Sequence, residues 1–188
     1  MKFIVFAFLL FFPQLTLANG NQGEKAEGFI RSLGEQAIQT LSATAGGNQS
    51  KRRQGFRNIL NSNFDMDTIA RFAMGRYWAI ATDAEKKEYT KLFRQMIVDV
   101  YTNRFSEYSG QTFNVKGHKA AGRKDVIVNS IIQGTGQSIK VDWRIRKGRV
   151  IDVLVENVSM SVTQRSEFAS IIQRNGGKVS ALIDHLKK

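Results

Sequence analysis

Cysteine is missing from this chain of 188 residues, and proline occurs once, at Pro13. Without cysteine the chain has no disulfide, no thiolate metal ligand and no cysteine nucleophile. Metal sites also need clustered histidines or carboxylates, but His118, in a glycine-flanked loop, and His185, near the C-terminus, are isolated. Serine catalysis would need one of those histidines, and no nucleophile elbow, phosphate loop or dinucleotide fingerprint occurs. The sequence therefore argues against an enzyme and against a metal cofactor.

The first eighteen residues have the pattern of a secretory signal peptide. Lys2 precedes an unbroken apolar run over residues 3–12, which is too short to span a bilayer. Pro13 ends that run, and residues 16–18 approximate a small-x-small cleavage site. We therefore expect residues 19–188 to form one exported domain, and the lack of disulfides favours a bacterial periplasm.

Acidic residues are scarce, since 16 Asp and Glu accompany 28 Lys and Arg and give a net charge of +12. Loss of Lys2 with the signal peptide would leave +11. In the cytoplasm such a charge would suggest nucleic acid as partner. Outside it, anionic lipid headgroups and acidic protein surfaces are the available polyanions. The basic residues are scattered, so a solvated surface is as good an interpretation as a docking patch.

Apolar residues at three- and four-residue spacing predict helices in the first part of the chain. One covers residues 24–41, a second follows it, and a third begins at an N-cap, Asp65 or Asp67, and ends at Gly75. Two carboxylates two residues apart on a helix do not face each other, which disfavours an acid/base pair. A capping box at residues 82–85 starts a long helix with a wide aromatic stripe. Such a stripe usually packs in a core, and it can also form one side of an apolar cavity.

After the long helix the hydrophobic period changes to two, which is typical of strands. We predict strands over residues 112–115, 125–133, 139–146 and 150–158, connected by hairpin-length turns, and two C-terminal helices after them. The expected fold class is α+β, with several helices packed on a twisted antiparallel sheet of about four strands.

The segment FDMDTIARFAMGRYW over residues 64–78, followed by EKKEY at 85–89, resembles the MlaC (toluene-tolerance) family of periplasmic phospholipid-binding proteins. The likeness continues in order through Tyr101 and residues 108–110, 151–153, 158–159 and 165–168. Two positions depart from the family pattern. Asn157 stands where glycine is usual, and no aromatic residue precedes the Asp-Val pair at 152–153. Neither change touches an apolar face.

The resemblance implies helices and a sheet that enclose an apolar pocket for acyl chains, with the headgroup near solvent. Bound phospholipid would be cargo, and no cofactor is implied. The implied partners are an outer-membrane lipoprotein–porin complex and an inner-membrane ABC transporter complex. A monomeric carrier would shuttle lipid between them and so maintain outer-membrane lipid asymmetry.

Three alternatives stay open at this point. In the first, the cargo is another apolar lipid such as a hopanoid, because a hopanoid-associated branch of the family shares these motifs. In the second, the chain is a non-catalytic exported protein-interaction module whose apolar stripes are fully packed. The third alternative, an exported nucleic-acid binder, rests only on the charge.

The aromatic stripe and the alternating strand can supply the lining of such a pocket. The residues assigned to the lipid-binding pocket are Phe72, Met74, Phe93, Met96, Ile97, Val100, Tyr101, Phe105, Val128, Ile139, Val141, Trp143, Ile145, Val153 and Val155. Four cations gather around one hairpin turn and are candidates for headgroup or partner docking: Arg144, Arg146, Lys147 and Arg149. The alternative is that these cations only keep the protein soluble.

Overall fold

The computed structural model describes residues 18–44, 47–104, 110–134 and 136–188, without the side chains of residues 18–20 and 104. Within these residues the helices are α1 (Ala18–Ala43), α2 (Gln49–Asn63), α3 (Met66–Met74), α4 (Asp83–Arg104), α5 (Met160–Arg174) and α6 (Val179–Leu186). A 3₁₀ segment, Gly75–Ala79, follows α3. The strands are β1 (Thr112–Ala121), β2 (Asp125–Gln133), β3 (Ile139–Arg146), β4 (Arg149–Val155) and β5 (Val158–Ser159). The predicted signal peptide, apart from the helical backbone of Ala18, lies outside the described residues.

The strands form one antiparallel sheet in the order β1-β2-β3-β4-β5, which confirms the predicted α+β class. Two hairpins have two-residue turns with positive φ at both positions, 49° and 73° at Lys147 and Gly148 and 49° and 65° at Glu156 and Asn157. Turns of this kind match the right-handed twist of the strands that they join. The second turn divides the predicted strand 150–158 into β4 and β5, so the sheet has five strands and not four.

The first strand is longer than the sequence pattern indicated. It runs for ten residues and not only over 112–115, and its pairing with β2 shifts between Val115 and Gly117. This irregularity interrupts the alternation of apolar side chains from which the strand was predicted. His118 consequently lies within β1, opposite Val128, and not in a loop.

Helix α1 packs on β1 at two glycines. A Cβ atom at Gly23 would lie 2.0 Å from Nε2 of His118, and one at Gly34 would lie 2.3 Å from Cδ1 of Phe113. Nδ1 of His118 is 2.7 Å from Oε1 of Glu27 on α1. Hydrogen bonds from His118 and then from Arg31 hold the pKa of Glu27 below its ordinary value. The helix therefore lies close to the strand and is tied to it by a carboxylate.

The junction between α2 and α3 is fixed to the sheet by Asp65. Its Oδ1 accepts the backbone N–H of Thr68 at 3.0 Å, so Asp65 is the N-cap of α3. Its own backbone N–H donates to the carbonyl of Val150 on β4 at 2.9 Å. The carboxyl of Asp67 instead accepts from Arg94 at 2.8 Å on the outer side of the helices.

The buried apolar residues form two clusters and not one. The helical cluster comprises Leu60, Met66, Ala70, Ala73, Met74, Tyr77, Ala81, Tyr89, Phe93, Val98, Phe168, Ile172, Val179, Leu182 and Ile183. The sheet cluster comprises Ala26, Ile30, Leu33, Ile59, Val126, Val128, Ile145 and Val150. Phe64 packs against both clusters. Small domains usually have one contiguous core. The boundary between these two clusters, called the seam below, is therefore the candidate position of a binding site.

Candidate functional site

A cavity of about 170 Å³ lies at this seam. Its wall combines side chains of the helical cluster with side chains of the sheet cluster. The lining residues are Leu33, Phe56, Ile59, Leu60, Phe64, Met66, Ile69, Ile97, Tyr101, Trp143, Asp152, Val153, Val155, Met160 and Ser161. All but three of them are hydrocarbon, thioether or indole side chains. The cavity, called the seam cavity below, is therefore suited to an apolar ligand.

The charged residue in this wall, Asp152, is fully engaged by its neighbours. Its Oδ2 accepts the hydroxyl of Ser159 at 2.6 Å, and its Oδ1 accepts the backbone N–H groups of Val153 and Ser161 at 2.9 and 3.2 Å. The carboxylate thus holds the corner where β5 passes into α5.

The indole of Trp143 is likewise anchored by its polar edge. Its Nε1 donates to the buried hydroxyl of Ser130 at 2.9 Å, and that hydroxyl donates to the carbonyl of Val141 at 2.8 Å. Among the described residues, every buried side-chain nitrogen and oxygen has a hydrogen-bond partner. The seam cavity therefore offers a ligand mainly hydrocarbon surface.

A second cavity of about 340 Å³ lies on the other side of part of this wall. Five residues line both cavities, namely Ile69, Ile97, Tyr101, Met160 and Ser161. The rest of the second wall is more polar and comes from α4, α5 and α6: Phe93, Met96, Val100, Thr163, Gln164, Glu167, Phe168, Ile171, His185 and Leu186. The shared residues stand between the two spaces, and Met160 has an adaptable side chain.

The residues assigned to a pocket from the sequence are distributed over three environments. Ile97, Tyr101, Trp143, Val153 and Val155 line the seam cavity. Phe93, Met96 and Val100 line the second cavity, together with Ile97 and Tyr101. These eight residues lie on α4, β3 and β4, and their part in ligand binding stays a prediction.

The other assigned residues do not line either cavity. Met74 belongs to the helical cluster, Val128 and Ile145 belong to the sheet cluster, and Val141 is buried on β3. Phe72 and Ile139 are each 42% exposed, and the guanidinium carbon of Arg165 lies 4.7 Å from the centre of the Phe72 ring. Phe105 lies outside the described residues.

Sequence reasoning did not assign the part of the wall that comes from α1, α2, the α2–α3 junction, α3 and the start of α5. Leu33, Phe56, Ile59, Leu60, Phe64, Met66, Ile69 and Met160 all line the seam cavity. Their helical spacing is the signal of an ordinary core face. Spacing says that a face is buried, but it does not distinguish burial against protein from burial against a cavity.

Two of the four hairpin cations are bound to one buried carboxylate. Asp125, whose side chain is 2% exposed, accepts from Nε of Arg144 at 2.7 Å and from Nε of Arg146 at 2.6 Å. The hydrogen bond from Arg146 is the main cause that holds the pKa of Asp125 below its ordinary value, and Arg144 adds to it. These two guanidinium groups therefore stabilise the β2–β3 pair.

The remaining two hairpin cations differ from each other. Arg149 donates to the carbonyls of Asn61 and Phe64 at 3.4 and 3.1 Å, where it caps the C-terminal end of α2. Lys147 is exposed in the turn itself. Three of the four proposed docking residues thus have intramolecular partners, and their part in docking stays a prediction.

The described residues show no cluster of three or more His, Cys, Asp or Glu side chains that could hold a metal ion. None of the described helices is long and apolar enough to cross a membrane. Tyr89 is the most strongly perturbed titratable group, because burial raises its pKa, and its hydroxyl donates to the carbonyl of Ala70 at 2.9 Å. That tyrosine ties α4 to α3.

Comparisons with known proteins match this chain to one family and to two of its relatives. Residues 32–188 match the family model described as "MlaC protein". The toluene tolerance protein ttg2D of Pseudomonas putida is 24% identical over 185 residues, which cover 92% of this chain and 83% of that protein. The intermembrane phospholipid transport system binding protein MlaC of Haemophilus influenzae is 26% identical over 161 residues, 77% and 75% of the two chains.

A solved structure shows the same fold with a ligand. It is the phospholipid-binding protein of Ralstonia solanacearum in complex with a phospholipid. The match has a TM-score of 0.78 and 25% sequence identity, and it covers 86% of this chain and 94% of the other. Helices on an open antiparallel sheet are therefore the fold of a protein known to hold a phospholipid.

Proposed function

Because the chain belongs to the MlaC family, we propose that it is a periplasmic phospholipid carrier that holds the acyl chains of its cargo in the seam cavity. The observation that carries the proposal is the cavity itself, an apolar space between two core clusters. The first eighteen residues act as the signal peptide, and residues 19–188 form the binding domain. The carrier works as a monomer between an outer-membrane lipoprotein–porin complex and an inner-membrane ABC transporter complex.

The energetics of lipid transfer require a nearly complete cover for the acyl chains. Each methylene moved from hydrocarbon into water costs about 0.8 kcal/mol. Two chains of ordinary length would cost roughly 20 kcal/mol or more if they were left uncovered. A hydrocarbon wall made by both core clusters supplies such a cover, and the engaged carboxylate of Asp152 leaves little polar surface for the chains to meet.

The seam cavity must widen to accept this cargo. A space of about 150 Å³ holds a molecule the size of benzene, and the seam cavity measures about 170 Å³. The second cavity adds space when the shared side chains move, since Ile69, Ile97 and Met160 stand between the two. We expect the helical and sheet clusters to separate at the seam when lipid enters, because no buried residue among those described belongs to both and the half-buried Phe64 packs against each.

The proposal assigns no catalytic role to the chain. Phospholipid is carried without a change in its bonds, and the groups around the cavity are hydrocarbon or already hydrogen-bonded. Neither a metal ion nor an organic cofactor has a part in this binding.

The deciding experiment is organic extraction of protein purified without detergent, followed by mass spectrometry. The expected result is co-purified phospholipid near one molecule per protein. Hopanoid in place of phospholipid would change the cargo, and no lipid of either kind would favour a protein-interaction module. Nucleic acid in the preparation, with affinity for DNA that falls steeply with salt, would support the remaining alternative.

A matched pair of variants tests the place of the cargo. Val153→Asp puts a charge in the wall of the seam cavity and should abolish lipid retention, because an ionised carboxylate among acyl chains is strongly unfavourable. Val158→Asp makes the same chemical change on β5, where the side chain is 54% exposed, and should retain lipid. Equal lipid content in the two variants would place the cargo elsewhere.

A further inference from the structure

We propose that a basic groove on the outer side of α3 and α4 is the docking surface for an acidic, protruding segment of a partner protein. The groove has a volume of about 740 Å³, and the residues that the argument uses are Arg71, Trp78, Lys86, Lys87, Lys91 and Arg94. The inference rests on the proposed function, because a carrier must meet the complexes that load and unload it.

The groove and the seam cavity lie on different faces of the same two helices. On α3 the exposed Arg71 lines the groove, whereas Ile69 lines the cavity. On α4 the exposed Lys87 and Lys91 line the groove, whereas Ile97 lines the cavity. A partner in the groove would therefore contact two of the elements that enclose the cargo.

The charge of the groove is largely uncompensated. Arg94 is paired with Asp67, which is the acidic residue of the groove wall, and Lys86 lies 3.4 Å from Asp83. No carboxylate of the described part of the chain lies within ion-pair distance of Arg71, Lys87 or Lys91.

The hairpin that the sequence suggested as a docking patch differs in this respect. Arg144 and Arg146 share Asp125, and Arg149 caps α2. Cations that are already paired gain less from an incoming anion than cations that are only solvated. The groove is thus better equipped than the hairpin to attract an acidic partner.

The side chains of the groove favour a polypeptide as the partner. The half-buried ring of Trp78 provides an apolar contact, and Nζ of Lys86 lies 5.9 Å from the centre of that ring. Tryptophan and arginine are enriched at protein–protein contact sites, and the groove combines Trp78 with Arg71 and Arg94.

The test uses lipid-loaded protein and a fluorescein-labelled octaglutamate peptide, followed by fluorescence anisotropy at low ionic strength. The groove variant carries Lys87→Glu and Lys91→Glu. The control variant carries Lys116→Glu and Lys119→Glu, which makes the same change in net charge at two exposed lysines of β1. We expect the groove variant to bind about tenfold more weakly and the control less than about twofold more weakly, since about 1.4 kcal/mol corresponds to tenfold.

Substitutions to glutamine distinguish a loss of charge from a folding defect. Lys87→Gln with Lys91→Gln should give an intermediate loss of affinity. The protein has two tryptophans, and Trp78→Phe removes the one in the groove, so the difference in emission between the unmodified protein and this variant reports on Trp78. Its fluorescence should change when octaglutamate binds and should stay constant with a peptide of eight glutamines.

Several outcomes would overturn the inference. Equal losses in the groove and control variants would mean that net charge alone attracts the peptide. If the unmodified protein did not bind the peptide but bound phosphatidylglycerol vesicles, and the groove substitutions abolished that binding, the partner would be a membrane and not a protein. Extraction of each variant separates this test from the proposed function, because the groove variant should keep its phospholipid even where its peptide affinity is lost.

Discussion

At the scale of single residues, Asp125 shows how a buried carboxylate can organise a surface. It lies at the start of β2, and two arginines from β3 bring five-donor guanidinium groups to its two oxygens. The alternation of β3 alone suggests a row of cations available to a partner. In the structure, Arg144 and Arg146 both bind the carboxylate of Asp125, so their charges stabilise the sheet.

Replacement of this carboxyl is expected to destabilise the protein. Asp125→Asn should lower the free energy of unfolding by about 2 kcal/mol at neutral pH, because the three hydrogen bonds from Arg144 and Arg146 lose their charged acceptor. Urea denaturation followed by tryptophan fluorescence measures the change. Asp184→Asn, an exposed carboxyl on α6, is the control and should stay within about 0.5 kcal/mol.

The pH dependence of that difference follows from the direction of the pKa shift. The pKa of Asp125 is lowered in the folded state, mainly by the hydrogen bond from Arg146. The unfolded chain therefore binds more protons in the acidic range, and stability increases with pH there. The advantage over Asp125→Asn should be complete above about pH 5 and should shrink below about pH 4. A difference that is constant between pH 3 and pH 7 would show that charge is not its source.

At the scale of elements, α1 contains two glycines whose surroundings predict opposite effects of the same substitution. Gly28 is exposed, and a Cβ atom there meets nothing within 4 Å. Gly28→Ala should increase the free energy of unfolding by about 0.5–1 kcal/mol through helix propensity. Gly34→Ala should decrease it, because the new Cβ would meet the Phe113 ring at 2.3 Å and the helix would have to move off β1. Thermal melts of the two variants would contradict this account if both were stabilised.

The elements themselves follow closely from local sequence. Asp65 caps α3 as predicted, Thr82 and Glu85 form the reciprocal hydrogen bonds of a capping box, and the hairpin turns at Lys147-Gly148. Each of these signals acts within a few residues. The sequence does not predict the turn that creates β5, because Glu156-Asn157 contains no glycine to mark it. Asn157 adopts a positive φ of 65° at the position where the family usually has glycine.

The site could be predicted only in part, because its wall is made by contacts between distant segments. The stripe of α4 and the face of β3 were recognised as apolar, and Ile97 and Trp143 do line the seam cavity. The same face of β3 also contains Ile139, which is exposed, and Ile145, which packs in the sheet cluster. Periodicity assigns a side chain to a face, whereas only the packing of helices on the sheet decides where that face meets a cavity.

At the scale of the whole molecule, the proposed carrier would bury acyl chains in one place and attract charged partners in another. The buried apolar residues form two clusters with the seam cavity between them, and the basic groove with Arg71, Lys87 and Lys91, unpaired among the described residues, lies outside the clusters. Burial of acyl chains depends on contact with water and is nearly independent of distant charge. Approach to an anionic surface depends on the summed charge of the chain, which is +12. The two tasks should therefore respond differently to salt.

Ionic strength provides the test of that separation. Raising salt from roughly 0.01 M to 0.15 M shortens the Debye length from about 30 Å to about 8 Å, which screens exposed charges but not hydrocarbon contacts. Retention of bound phospholipid, measured by extraction after gel filtration, should stay the same within about twofold. The association rate with phosphatidylglycerol vesicles, measured by stopped-flow fluorescence, should fall by about tenfold. Neutral phosphatidylcholine vesicles are the control and should show no such change. If retention fell in parallel with the association rate, charged side chains would hold the cargo, and the seam cavity would not be its main site.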